Sequence, residues 1–108
     1  MQQPLQISWR NVDVSESVEA NIREHLEKLE QVHNRITSCR VVVEAPHMQH
    51  QQGNLFRIMI DIVVPGGEVV VDKDTDDPAH EDVYVAIRDA FNAARRQLKA
   101  FIEKRQGR

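Results

Sequence analysis

The chain has 108 residues, 41% of them hydrophobic and 29% charged, which is the composition of one ordinary globular domain. No apolar run approaches the roughly 20 residues of a membrane span, and the first residues lack the basic start and apolar core of a secretory signal. The only cysteine, Cys39, excludes an internal disulfide and fits a reducing compartment. We therefore predict a single cytoplasmic domain over residues 1–108, with a buried, structural thiol.

Strand and helix periodicities follow one another along the chain. Leu5, Ile7 and Trp9 alternate with polar residues, which predicts a half-buried first strand over residues 4–10. A helical repeat of apolar residues then begins after Ser15, a preferred N-cap, and ends near Asn34. Further strands are predicted over residues 36–45, 55–64 and 68–72, and a long final helix over residues 81–105.

The order β-α-β-β-β-α defines the expected fold. A strand–helix–strand unit makes a right-handed crossover between parallel strands, and the hairpins that follow add antiparallel neighbours. Each helix has one apolar stripe to bury, which fits a sheet covered on one face. We therefore predict an α+β fold: a four-stranded mixed sheet in the order 1-2-3-4, with both helices packed on one face and the other face largely open.

Charge is unevenly distributed along the chain. Residues 83–108 hold seven Lys/Arg and two Asp/Glu, whereas residues 1–82 hold seven Lys/Arg and fifteen Asp/Glu. On the final helix Arg88, Arg95 and Lys99 recur on one flank with Tyr84. Such a stripe suits a phosphate backbone, and the tyrosine ring suits stacking on a base. Two alternatives stay open: basic residues that complement the helix dipole, and a partly buried core tyrosine.

Motifs for catalysis and metal binding are lacking. Gly66-Gly67 lies in a hairpin rather than between a strand and a helix, so it is not a phosphate loop, and Cys39 has no evident activating partner. His47 and His50 share one loop and His80 lies in an acidic stretch, but none has the closely spaced second ligand pair of a zinc site. We predict a protein that is not an enzyme and uses no metal, cofactor or small-molecule substrate.

Four short motifs resemble one known family. Asp-Val-Tyr-Val-Ala-Ile at 82–87, Arg-Gln-Leu at 96–98, Lys-Leu-Glu-Gln at 28–31 and Arg-Ile at 35–36 together are similar to the ribosome hibernation-promoting factor and ribosome-associated inhibitor family. The opening of the last helix is the most specific part, and the similarity covers nearly the whole chain. The resemblance implies a fold like that of double-stranded-RNA-binding domains.

The resemblance also implies a function. Such proteins bind the small ribosomal subunit between head and body, over the messenger and transfer RNA sites, and inhibit translation by occlusion under stress or in stationary phase. Lys28, Tyr84, Arg96 and Lys104 match basic or tyrosine positions of the family pattern, whereas Arg88, Arg95 and Lys99 rest on helix periodicity. On the first helix, Arg23, His25 and Lys28 are candidates to complete a groove between the two helices. The predicted RNA-binding residues are Arg23, Lys28, Tyr84, Arg88, Arg95, Arg96, Lys99 and Lys104.

Departures from the family pattern leave further questions open. The first helix holds Glu24, His25 and Glu27 where small or basic residues are frequent. Long members add a C-terminal domain that pairs ribosomes, so the resemblance implies ribosome binding by this short form but not pairing of ribosomes by itself. Whether it pairs ribosomes or only silences them, and whether a second factor is needed, stay open; we expect a monomer off the ribosome. The alternative hypotheses are a protein-interaction or regulatory module that uses the open sheet face, with its Val42, Met59 and Val63, and a metal-dependent sensor.

Overall fold

The computed structural model describes residues 5–45, 55–72 and 78–106. The elements, in chain order, are β1 (Gln6–Arg10), α1 (Glu16–Val32), β2 (Ser38–Glu44), β3 (Arg57–Val64), β4 (Gly67–Asp72), a 3-10 turn (Pro78–Glu81) and α2 (Val83–Gln106). The strands form one sheet in the order β1-β2-β3-β4, with β1 parallel to β2 and the other neighbours antiparallel. The predicted α+β fold and strand order are therefore confirmed.

The helix starts follow local capping chemistry. The Ser15 hydroxyl accepts a hydrogen bond from the Val18 amide at 3.2 Å, so the predicted N-cap of α1 is confirmed. The carboxylate of Asp82 accepts from the Tyr84 amide at 2.9 Å and caps α2 in the same way. Helix α2 consequently begins two residues later than predicted, because Glu81 belongs to the preceding 3-10 turn.

The hydrophobic core lies between the sheet and the two helices. Ile22 of α1, Ile60 and Ile62 of β3, and Ile87 and Leu98 of α2 are all less than 2% exposed. Each such side chain stabilises the fold by about 1.5–3 kcal/mol relative to an exposed one. The apolar stripe of α1 continues to the partly buried His33, whereas Val32 is 62% exposed.

On the opposite face of the sheet, ion pairs join neighbouring strands. Arg57 of β3 donates to Asp72 of β4 at 2.7 Å, and Arg40 of β2 lies 3.4 Å from Asp61 of β3. Of the apolar residues predicted for this face, Val42 is only 9% exposed and Met59 is partly buried, whereas Val63 is 37% exposed. Polar cross-strand pairs thus share the open face with an exposed valine.

Cys39 is buried in β2, as predicted, and its side chain points to the helix-covered face. Burial raises the pKa of its thiol to about 12, and the nearby carboxylates of Asp61 and Glu30 act in the same direction. At neutral pH the residue is thus a thiol that packs as a small apolar group. The predicted 46–54 loop with His47 and His50, and most of the predicted acidic linker, lie outside the described residues.

Candidate nucleic-acid interface

Helices α1 and α2 lie side by side and point in the same direction. The His25 ring stacks on the Phe91 ring, with centroids 5.5 Å apart and 13° between the ring planes. Towards the far end of both helices, Val32 of α1 and Ile102 of α2 line the same cavity. Later residues of one helix therefore meet later residues of the other. We call the surface between residues 25–33, which are the second half of α1 and its C-cap, and residues 84–99 of α2 the interhelical groove.

The pKa of His25 is sensitive to the cations that lie near this groove. Burial lowers the pKa of its imidazole, the charge of Lys28 lowers it further, Glu24 opposes this effect, and Arg88 adds a smaller lowering. Lys28 belongs to α1 and Arg88 to α2, and both side chains are exposed. Cations from the two helices thus flank one neutral histidine, as the predicted groove requires.

The basic flank of α2 continues past the C-cap of α1. Burial lowers the pKa of His33, and the charge of Arg95 lowers it further. Arg95 follows Arg88 by about 10 Å along the helix axis, and Lys99 follows after another turn, about 6 Å on. Lys28 on α1 and Arg88 and Arg95 on α2 therefore lie beside the interhelical groove, and helix periodicity places the exposed Lys99 on the same flank of α2.

Tyr84 and Arg88 lie at the start of this row. Tyr84 is 41% exposed, so part of its side chain is accessible from solvent and the rest is covered. The Arg88 guanidinium lies 3.1 Å from the carboxylate of Asp89. A surface ion pair of this kind contributes about 0–1 kcal/mol, so a phosphate can replace the carboxylate at little cost. The ring and the guanidinium are therefore both accessible to a nucleic acid.

Arg23 lies on the other flank of α1, which corrects its predicted place in the groove. Five residues separate it from Lys28, a rotation of about 140° around the helix. Its guanidinium donates to the carboxylate of Glu19, one turn earlier, at 2.9 Å. The helical rotation is the physical reason for the difference: it directs Arg23 away from α2.

Arg96 and Lys104 are exposed on different sides of α2. Arg96 follows Arg95 directly and is turned about 100° from the basic row, towards solvent. Lys104 lines a shallow depression between α2 and β4 together with the acidic residues Glu68 and Glu103. As RNA contacts both stay predictions, and they belong to other surfaces than the interhelical groove.

Sequence reasoning assigned no role to Arg35, which the structure places at the far end of the groove. Arg35 and Arg105 line a cavity of about 460 Å³ with His33, Phe101 and Ile102. Arg35 follows the last residue of α1 by three positions, in a connection without periodicity. Only the long-range packing of α1 against the last turns of α2 brings the two arginines to one cavity, and no local pattern encodes that packing.

His80, considered above as a metal ligand, has a structural partner. Its Nε2 lies 2.8 Å from the Asp89 carboxylate of α2, and its backbone carbonyl accepts from the Phe56 amide at 2.9 Å. The hydrogen bond with His80 is the main cause that lowers the pKa of Asp89. Over residues 5–45, 55–72 and 78–106, no group of three or more His, Cys, Asp or Glu could hold a metal ion. In the same ranges no helix is long and apolar enough to span a membrane.

Comparison with known proteins gives a family match. The model of the family described as Sigma 54 modulation protein / S30EA ribosomal protein matches residues 5–106. The chain is 30% identical over 100 residues to a ribosome hibernation promoting factor of Pseudomonas putida, covering 93% of this chain and 87% of that protein. It is also 30% identical over 96 residues to a ribosome hibernation promotion factor of Deinococcus radiodurans, covering 89% of this chain. The match spans only 47% of the length of the Deinococcus protein.

Two solved structures share the fold. A ribosomal subunit interface protein from Coxiella burnetii superposes with a TM-score of 0.70 at 12% identity, over 90% of this chain and 94% of that one. The N-terminal domain of Protein Y from Thermus thermophilus gives a TM-score of 0.68 at 24% identity, over 94% and 99% of the two chains. These likenesses support the β-α-β-β-β-α architecture.

Proposed function

Because this chain belongs to the family described as Sigma 54 modulation protein / S30EA ribosomal protein, we propose that it is a ribosome hibernation factor. The family that the sequence motifs resembled is confirmed by this match and by the Pseudomonas putida relative. The proposed partner is the small ribosomal subunit, near the decoding and transfer RNA sites. The proposed action is inhibition of translation in the cytoplasm under stress or in stationary phase, without a catalytic step.

The observation that carries this proposal is the basic interhelical groove on an otherwise acidic chain. The formal net charge is −3, yet Lys28, Arg88 and Arg95 lie beside the interhelical groove, with Lys99 on the same flank of α2. Local positive potential, rather than net charge, determines where a phosphate backbone is attracted. Lys and Arg that neutralise phosphates release counterions and so gain affinity that depends on salt.

The mechanism that follows is occlusion by a preorganised domain. Both helices are fixed on the sheet by a continuous core, so the groove presents its cations without a folding step. Arginine adds paired hydrogen bonds to phosphate oxygens, and Tyr84 offers a ring to an unstacked base. A domain bound in this way blocks any messenger or transfer RNA that shares the same ribosomal RNA surface.

The direct test is sedimentation of the purified protein with small ribosomal subunits at low and high salt. We expect cosedimentation that weakens steeply as salt rises and that added transfer RNA reduces. The double variant Arg95→Glu with Lys99→Glu is expected to abolish binding while its thermal melt, followed by circular dichroism, barely moves, because both side chains are exposed. Unchanged binding by this variant, or binding that ignores salt, contradicts the proposal.

A matched variant places the same charge change on the opposite face. Arg10 and Arg40 are exposed on the open side of the sheet, so Arg10→Glu with Arg40→Glu alters net charge equally without touching the groove. We expect it to bind subunits like the unmodified protein. If this variant fails to bind and the groove variant binds normally, the open sheet face is the interaction surface, as the alternative hypothesis holds.

A further inference from the structure

The interhelical groove ends in a cavity that the proposed function does not use. The cavity measures about 460 Å³ and lies where α1 ends, between the β3–β4 turn and the last turns of α2. We propose that this cavity receives one unstacked nucleotide of the RNA that lies in the groove: its base on an apolar wall, its phosphate on two arginines. The inference rests on the proposed function and adds a specific subsite to it.

The wall of the cavity is apolar and incompletely covered. Val32 is 62% exposed at the end of α1, and Phe101 and Ile102 are partly exposed on α2. Below them Ile36 and Val64 are buried. An open apolar surface beside an aromatic ring suits a flat, weakly hydrated group such as a nucleobase, which can stack one of its faces on this surface.

Two guanidinium groups flank this wall. In the part of the chain that the structure describes, Arg35 and Arg105 have no carboxylate partner, and both line the cavity. The Arg105 guanidinium lies 5.7 Å from the centre of the Phe101 ring. The C-terminal ends of α1 and α2 lie in this region, and the dipole of each helix places about half a negative charge there. The two full positive charges therefore outweigh the helix ends, and the balance favours an anion.

The β3–β4 turn holds Arg105 in place. Gly66 has φ +91, and a Cβ at this position would lie 2.9 Å from Arg105 Cζ. The absence of a side chain lets the guanidinium rest on the turn beside Phe101, so the group is directed at the cavity before any ligand arrives. A preorganised cation binds a phosphate with a smaller loss of side-chain entropy than a freely rotating one.

His33 joins the cavity to the basic groove. It lines the cavity, and it lies close enough to Arg95 for that charge to lower its pKa. An RNA strand that contacts Arg88, Arg95 and Lys99 along α2 therefore reaches the mouth of the cavity. There the Asn34 side chain, with its donors and its acceptor, can contact a base edge.

The first test is a nuclear magnetic resonance titration of the complete chain with adenosine monophosphate, adenosine and inorganic phosphate. We expect adenosine monophosphate to cause saturable shifts at the amides of residues 32–36 and 101–105, adenosine to cause weaker shifts there, and phosphate to leave most of them unchanged. Shifts that phosphate alone reproduces, or no saturable shift at these amides, overturn the proposal.

The second test compares two exposed valines. Val32→Glu puts a carboxylate at the cavity mouth, whereas Val14→Glu makes the same change before α1, where Val14 is 68% exposed. Loss of one stacked base reduces affinity about tenfold, so Val32→Glu is expected to bind small subunits about tenfold more weakly and Val14→Glu normally. Equal binding by both variants, with cosedimentation intact, refutes the cavity and leaves the proposed function standing. Saturable nucleotide shifts in a protein that never cosediments support the cavity and refute the proposed function.

Discussion

Replacing Arg95 by glutamine tests the groove through the salt dependence of binding. The groove presents Lys28, Arg88, Arg95 and Lys99. If each neutralises one phosphate, the slope of log K against log salt is about −3, between the values for single-stranded and duplex nucleic acid. Arg95→Gln removes one phosphate contact and is expected to reduce the slope to about −2.3. From 50 to 200 mM salt, affinity then falls about 25-fold instead of about 60-fold.

The assay is a binding titration with small ribosomal subunits at four or more salt concentrations. Arg10→Gln is the matched control, because Arg10 is an exposed arginine on the open face of the sheet, away from α1 and α2. Its slope is expected to equal that of the unmodified protein. Both variants should melt normally, since exposed side chains away from caps change stability by about 0.5 kcal/mol or less. An equal slope for Arg95→Gln and the control would refute the assignment of Arg95 to a phosphate contact.

Three further outcomes test the packing, the thiol and the groove histidines. Gly67→Ala would place a Cβ 2.6 Å from the Phe101 ring, so urea denaturation should show a loss of about 1–3 kcal/mol; an unchanged midpoint contradicts this packing. Cys39, whose pKa burial raises to about 12, should react with iodoacetamide in urea but hardly in the folded protein at pH 8; equal rates contradict its burial. Burial lowers the pKa of His25 and of His33, and a bound phosphate raises both. Binding therefore takes up protons, and affinity at fixed salt should rise from about pH 7 to pH 5; a flat profile excludes phosphate near either ring.

Most of the fold was predictable because each element repeats its signal along the chain. The alternation in β3 and the apolar spacing of α2 encode which side of the sheet is buried. Local chemistry also placed Ser15 at the start of α1. The 3-10 turn before α2 was missed, because its stability comes from partners distant in sequence: His80 contacts Asp89, and its carbonyl contacts Phe56.

The candidate site was only partly predictable. Helix periodicity correctly grouped Arg88, Arg95 and Lys99 on one flank, since that grouping depends on a single helix. It did not determine that Arg23 turns away from α2, nor that Arg35 meets Arg105. Those relations depend on how two helices pack across a core, which a single periodic pattern does not encode.

The outer strand β4 also bears on how the free protein behaves at high concentration. In the part of the chain that the structure describes, no strand pairs with the outer edge of β4, and an exposed edge of this kind can pair with a second copy. Two copies of β4 that pair antiparallel about Val70 would set Glu68 of each opposite Asp72 of the other, and like charges directly opposite are unfavourable. The same carboxylates that border the open face thus discourage edge-to-edge association. At high concentration the free protein is therefore expected to remain dispersed and monomeric.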